Sequence, residues 1–277
     1  MKTILLLTDF SNCATNAIHY AMRFFESKTC VFHVMNVHKA GTFISDDLMI
    51  SPTESIYDSF TKVPKQKLNT LVDELKQTYH NPNHKFEIIV DFDVFTDAIN
   101  QAVKRNSIDY VVMGSNGATG AKEVVFGSNA INVIRQVMCK TLVVPNDYTF
   151  KPISNFLLPL QFDDNVPSEQ LDIISDFTKK YELKLHVLRV CAKNETTNSI
   201  TSDQERLDKF NCKYSVEEES TFYQAVTNYL KSNAIDMTGL IVHDKSFIKR
   251  FFTESPTIEL SKVIKLPLMI FHSRTLI

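Results

Sequence analysis

The chain has 277 residues, 44% hydrophobic and 22% charged, with 30 basic and 32 acidic side chains and a formal net charge of −2. That profile belongs to a folded globular protein rather than a disordered chain, and single cores tend to split near this length, so two domains are expected. The near balance of charge, with no long run of one sign, argues against a broad basic face for nucleic acid, and Glu217, Glu218 and Glu219 are expected to form a solvated face. No apolar stretch approaches the ~20 residues of a membrane helix. The opening Met1 to Leu7 runs into Thr8 and Asp9 without a signal-cleavage pattern, so a cytoplasmic protein without membrane contact is expected. Five cysteines, Cys13, Cys30, Cys139, Cys191 and Cys212, with no CxxC pair, point to reduced, mostly buried thiols.

In chain order, Ile4 to Leu7, Val31 to Val37, Phe86 to Val90, Tyr110 to Met113 and Leu142 to Val144 are short, apolar and rich in branched or aromatic residues, the pattern of buried strands. Between them apolar residues recur at three-and-four spacing. The sets are Ala14, Ala17, Ile18, Ala21, Met22 and Phe25; Leu68, Leu71, Val72 and Leu75; Ala98, Ala102 and Val103; and Ile131, Ile134, Val137 and Met138. Strand and helix in alternation predict a parallel sheet with helices on both faces. His38 to about Pro64 lacks periodicity and is expected to be a long excursion between the second strand and the second helix.

The second half repeats the plan. Leu157 to Phe162 echoes Leu5 to Phe10, and Leu185 to Val190 echoes Phe32 to Val37. Phe10 lies 22 positions before Phe32, and Phe162 lies 23 before Leu185. Asp109 to Val112 and Thr141 to Val144 find counterparts in Asp236 to Val242 and Pro267 to Ile270, with steps of 33 from Asp109 to Leu142 and 32 from Asp236 to Leu268. The chain therefore reads as a tandem duplication with domains 1–148 and 153–277. Each is expected to be a doubly wound, Rossmann-like α/β domain. The last strands of the two halves, Leu142 to Val144 and Leu268 to Phe271, are apolar enough that pairing them would cover both open edges, making an intrachain pseudo-dimer.

Glycine is the strongest local signal. Of six glycines, four (Gly114, Gly117, Gly120 and Gly127) fall within fourteen residues, between a predicted strand and the helical pattern from Asn129 to Met138. Glycines let backbone N–H groups approach a ligand closely, and a helix N-terminus adds unpaired donors and the positive end of its dipole, with Ser128 contributing a hydroxyl. Those are the parts of a phosphate cradle; the alternative is that the glycines make turns and Ser128 caps the helix. A Walker loop is absent, since no glycine precedes a lysine. A dinucleotide fingerprint is absent too, since Leu5 to Ser11 holds no glycine. In a doubly wound sheet the turn after the first strand meets the loop after the fourth, which places Asp9 beside this loop as an acceptor for a ribose or an adenine amine, or as a helix cap.

Leu7-Thr8-Asp9-Phe10-Ser11, Phe32-His33-Val34, the G-x2-G-x9-G-S pattern from Gly114 to Ser128, and the closing Thr141 to Pro145 resemble the universal stress protein family. The resemblance covers nearly the whole chain as two tandem family domains. It implies a five-stranded parallel sheet between helices, the adenine nucleotide alpha hydrolase-like form of the fold, and binding of ATP or AMP, with or without Mg. Carried over, Thr8, Asp9 and Val34 would surround the adenosine, Met113, Gly114, Gly117 and Gly127 would wrap ribose and phosphates, and Ser128 with Asn129 would bind phosphate oxygens. Leu7 stands where the family often has proline. The second half departs further. Gln161 replaces Asp9, Val242 to Ser255 contains no glycine, and Glu254 in place of Gly127 would set a carboxylate where phosphate belongs, so no nucleotide is expected there.

Other candidates are weaker. Pro82 spoils a His80 and His84 metal pair, His33 and His186 sit in apolar strands as core residues, and His243 with Asp244 has no nucleophile beside it. Cys13 lies near a helix N-terminus where its thiol could be activated. Phe247, Phe251 and Phe252 beside Lys249 and Arg250 could form a basic-aromatic contact surface, but a helix or loop packed on the partner domain is the simpler expectation. The expected protein is a stress-response regulatory module and not an enzyme, with an unknown protein partner and further self-association left open. A slow ATPase and a nucleotide-free interaction scaffold are the alternatives.

Overall fold

The structure, a computed structural model, describes residues 1–38, 56–116, 126–161, 164, 166–191, 207, 212–218, 221–242 and 265–272. The chain divides into two compact units, Met1–Gly120 with Gly127–Phe150 in the first and Lys151–Ile277 in the second. The first contains β1 (Lys2–Leu7), α1 (Asn12–Phe24), β2 (Cys30–Val37), α2 (Ile56–Tyr79), β3 (His84–Asp91), α3 (Phe95–Arg105), β4 (Tyr110–Gly114), α4 (Ser128–Gln136) and β5 (Lys140–Val144). Its strands pair in parallel in the order β3-β2-β1-β4-β5. The chain winds one way from β1 through β2 to β3 and the other way from β4 to β5. Strand order therefore reverses between β1 and β4, and a crevice opens there at the carboxyl ends of the strands.

Local chemistry explains the elements. Leu5, Leu6, Val111 and Val112 are fully buried at the centre of the sheet, with Leu6 in register with Val34 on one side and Val112 on the other. Helix α1 begins where the Ser11 hydroxyl accepts from the Ala14 amide at 3.2 Å. Its small residues Ala14, Ala17 and Ala21 are buried and let it approach the sheet. The approach is close enough that a Cβ on Gly114 would lie 2.9 Å from the Cys13 carbonyl carbon and 2.6 Å from its sulfur. Glycine at 114 is thus required by helix-to-strand packing. Cys13 itself is buried in that contact.

Two expected boundaries move. Helix α2 starts at Ile56 and carries Pro64 inside it, so the excursion does not extend to Pro64; residues 39–55, its remainder, lie outside the described residues. Thr61, Leu68, Leu71, Val72 and Leu75 are buried, and Pro64 falls on the same face. A helix whose apolar face runs through a proline survives the loss of one backbone hydrogen bond, at a cost of about 3 kcal/mol, when burial offsets it. Helix α4 ends at Gln136 rather than Met138. Val137 is already extended, and Met138 is exposed as the chain turns toward β5.

The second unit contains β6 (Asn155–Gln161), α5 (Ser168–Lys180), β7 (Lys184–Cys191), β8 (Lys213–Glu218), α6 (Phe222–Ser232), β9 (Met237–Val242) and β10 (Leu268–His272), with strands parallel in the order β10-β9-β6-β7-β8. This is the order of the first unit, strand for strand. The duplication extends to side-chain roles. The Asp109 carboxylate accepts from the Thr3 amide at 2.9 Å and from Lys2 Nζ at 2.7 Å, while that of Asp236 accepts from the Ser154 and Asn155 amides, each at 2.9 Å. Each pins the start of its unit's central strand. His33 and His186 are buried with partners, Glu87 Oε2 3.3 Å from His33 Nδ1 and the Tyr229 hydroxyl 2.9 Å from His186 Nδ1. Among the described residues no helix is long and apolar enough to cross a membrane, and no group of histidine, cysteine and carboxylate side chains could hold a metal.

Candidate functional site

At the carboxyl ends of β1 and β4 lies a cavity of about 300 Å³, at the lower end of the ~300–1,000 Å³ range of small-molecule sites. One wall is the turn after β1. Thr8 donates its amide to the Met35 carbonyl at 2.9 Å, and its carbonyl accepts from Asn36 Nδ2 at 2.7 Å, which fixes the turn to β2. Phe10 follows with φ of 63°, a left-handed conformation that non-glycine residues rarely take. It is held by its amide on the Thr8 hydroxyl at 2.9 Å and by the Ser11 amide on Asp9 Oδ1 at 3.0 Å. Asp9 thus shapes the turn, while Ser11 is the residue that caps α1. Thr8 and Asp9 both line the cavity.

The opposite wall is the end of β4 and the start of α4: Met113, Gly114, Ser115, Asn116, Gly127, Ser128, Asn129 and Ala130. The Gly127 amide donates to the Ser115 carbonyl at 2.8 Å, and the Ser115 amide to the Val144 carbonyl at 2.9 Å, so the returning chain is clamped to the sheet. Gly127 is the N-cap of α4 and offers no side chain to it. The helix's first backbone bond runs from the Ile131 amide to the Gly127 carbonyl at 3.0 Å. The amides of Ser128, Asn129 and Ala130 precede that bond and, with the helix dipole, form an anion-attracting end. Ser128 is the first helical residue and not the cap, so the capping alternative for its hydroxyl does not hold.

A third side comes from the end of β2, Val37 and His38, and from the turn into α3, Asp93 and Phe95. The His38 ring stacks on Phe92, with centroids 5.9 Å apart, and its amide donates to the Asp91 carbonyl at 2.8 Å. Burial lowers the His38 pKa, and the nearby Lys67 ammonium lowers it further, so the ring is neutral at neutral pH. Three buried polar atoms on cavity-lining residues have no hydrogen-bond partner among the described residues: His38 Nε2, Ser115 Oγ and Asn116 Oδ1. An orphaned buried polar atom costs about 1–3 kcal/mol. Three around one cavity mark a surface suited to a polar ligand.

Of the residues expected from sequence, Thr8, Asp9, Met113, Gly114, Gly127, Ser128 and Asn129 come together here, and Gly117 lies outside the described residues. Val34 does not line the cavity. It is fully buried in β2, which runs three residues further, so the strand end is formed by Val37 and His38. Sequence reasoning missed His38, Ser115 and Asn116; the signal available was their position just past the ends of β2 and β4. The second unit differs at the matching positions. Counted from Asp109 and Asp236, Gly114 and Ser115 correspond to Ile241 and Val242, both buried and apolar. The loop from His243 to Ser255, with Glu254 and the Phe247, Phe251 and Phe252 set, lies outside the described residues.

This site geometry meets the comparisons with known proteins. The model of the universal stress protein family matches residues 1–145, and the chain belongs to that family. Universal stress protein MJ0577 of Methanocaldococcus jannaschii is 26% identical over 152 residues, covering 52% of this chain and 94% of that protein. Across both units, the crystal structure of a universal stress protein from Archaeoglobus fulgidus aligns over 98% of each chain with a TM-score of 0.73 at 17% identity, which supports the fold. A universal stress protein family protein from Arabidopsis thaliana, solved with AMP bound, is 14% identical and aligns over 52% of this chain and 92% of that one, with a TM-score of 0.34.

Proposed function

We propose that the first unit binds one adenine nucleotide, ATP or AMP, that the second unit binds none, and that the protein is a cytoplasmic regulatory module of the stress response and not a catalyst. The observation that carries this reading is the pairing, around one cavity, of an α4 N-terminus whose cap residue offers no side chain with three polar atoms that have no partner among the described residues. Phosphate oxygens suit the amides of Ser128, Asn129 and Ala130. The ribose and base then lie toward Thr8, Asp9 and His38, where a neutral imidazole offers one donor and one acceptor. Ile241 and Val242 bring apolar bulk to the second unit where the first has glycine and serine.

The carboxylates lining the cavity accept hydrogen bonds that shape the turns they sit in, which supports a binding module. Asp9 Oδ1 accepts from the Ser11 amide at 3.0 Å, and Asp93 accepts from the Val94 amide at 2.7 Å and from Gln101 Nε2 at 2.8 Å. Phosphoryl transfer needs a positioned base and metal-holding groups beside the phosphates. The test is to denature the purified protein and identify any released small molecule by mass spectrometry, for wild type and Gly127→Glu. An adenine nucleotide released from wild type and missing from the variant is expected. If neither protein releases nucleotide and neither takes it up on incubation, the reading is wrong.

A further inference from the structure

We infer that occupancy of the cavity is coupled to the segment through which the chain leaves the first unit, residues 145–150, by way of helix α1 and the end of β5. The inference rests on the nucleotide reading above. Both cavity walls reach this segment through short, continuous contacts. On one side, Ala14 lines the cavity, and two residues on, Asn16 Nδ2 donates to the carbonyls of Pro145 and Tyr148, each at 3.1 Å. One turn further along α1, the buried Tyr20 ring packs against Tyr148 and edge-on against Phe150, with centroids 6.0 and 5.1 Å apart. On the other side, the Gly127 amide is bonded to the Ser115 carbonyl and the Ser115 amide to the carbonyl of Val144, the residue before Pro145.

The segment therefore docks properly only when α1 and the end of β4 stand at one spacing. A ligand lying between the Asp9 turn and Ser115 touches those same two walls and favours that same spacing. Two events that select one arrangement reinforce each other, and the reinforcement is reciprocal. Nucleotide should hold the segment down, and loosening the segment should weaken nucleotide binding. The bistable element is the segment itself, docked on α1 or released from it.

Hydrogen exchange on the full-length protein tests this, read at the amides of Tyr148 to Phe150, with the Tyr148 amide bonded to the Pro145 carbonyl at 3.2 Å as the internal reporter. AMP or ATP is added at a concentration shown by calorimetry to saturate. Coupling between sites is commonly about 5–150-fold, so slowing of at least about fivefold is expected in wild type. Asn16→Ala and Tyr20→Leu, each confirmed folded by its melting transition, should lose the slowing while still taking up nucleotide at higher concentration. Unchanged exchange at saturation overturns the coupling and leaves the binding reading intact. Slowing that persists in both variants overturns the route through α1. Absence of any binding heat in wild type removes the nucleotide reading and the coupling with it.

Discussion

On the proposed reading, stability and binding pull in opposite directions at Ser115. Its hydroxyl is buried at the end of β4 and has no partner among the described residues. Ser115→Ala should leave the ligand-free protein as stable as wild type or up to about 1–3 kcal/mol more so, because an unsatisfied buried group has gone. The same change should weaken nucleotide binding by roughly 2–10-fold, the worth of about 0.5–1.5 kcal/mol for one neutral hydrogen bond. Thermal melts and calorimetry on the one variant check both signs; a destabilised protein with unchanged affinity would show that the hydroxyl serves the fold. His272 makes a different prediction. Burial pushes its pKa down to about 4, and neither ring nitrogen has a partner among the described residues. The folded state thus favours the neutral ring. Its contribution is complete above the ordinary value near 6.5 and is lost as pH falls from there toward 4, about 3 kcal/mol in all. Urea midpoints between pH 7 and 4 should fall less steeply in His272→Leu than in wild type. Among the described residues, His19, His33, His38, His84 and His186 shift in the same direction, chiefly by burial. Part of the wild-type slope should therefore remain.

Among the elements, α1 and β4 meet at the cavity, where Ala14 and Gly114 line it. A methyl group at 114 would overlap the backbone of Cys13 as well as its sulfur, and backbone cannot swing aside. Gly114→Ala should therefore cost about 1–3 kcal/mol, the usual range for overpacking, and displace the α1 N-terminus from the sheet. A melt unchanged within error would show that the helix has room. Much of this element pattern was legible in the sequence. Strands β1, β2, β4 and β5 stand out because buried parallel strands are continuous apolar runs, and α1 because its apolar residues keep one face; β3, expected to be buried, is an edge strand whose Phe86, Ile88, Ile89 and Val90 are only half-buried. The start of α2 was not legible, since Pro64 reads as a break unless Thr61, Pro64 and Leu68 are known to share a buried face. Strand β8 was hidden for another reason. It is a six-residue edge strand, and Lys213, Val216, Glu217 and Glu218 are all exposed, so it offers no apolar run to notice. At the candidate site, Asp9, Gly114, Gly127 and Ser128 were legible as residues that line one cavity. His38, Ser115 and Asn116 were not, because their roles come from where strands end, and a sequence marks that boundary poorly.

On the scale of the whole molecule, the two units share one strand order, and on the proposed reading only the first carries a nucleotide site. The strand order, the Asp109 and Asp236 clamps and the buried His33 and His186 recur in both units. The Gly114-Ser115 pair does not. Folding and ligand binding place separate demands on a doubly wound unit: the first needs the central strands and their helices, the second needs small or polar residues where those strands end. A unit can therefore lose the second set and remain a folded companion to the one that retains it. The reading of the chain as a one-site nucleotide-binding protein rests on this asymmetry. The most direct measurement is the stoichiometry of AMP and ATP binding to the full-length protein by titration calorimetry, with Gly127→Glu beside it. One nucleotide per chain, lost in the variant, is the predicted result. Two per chain, or one that survives Gly127→Glu, would contradict it.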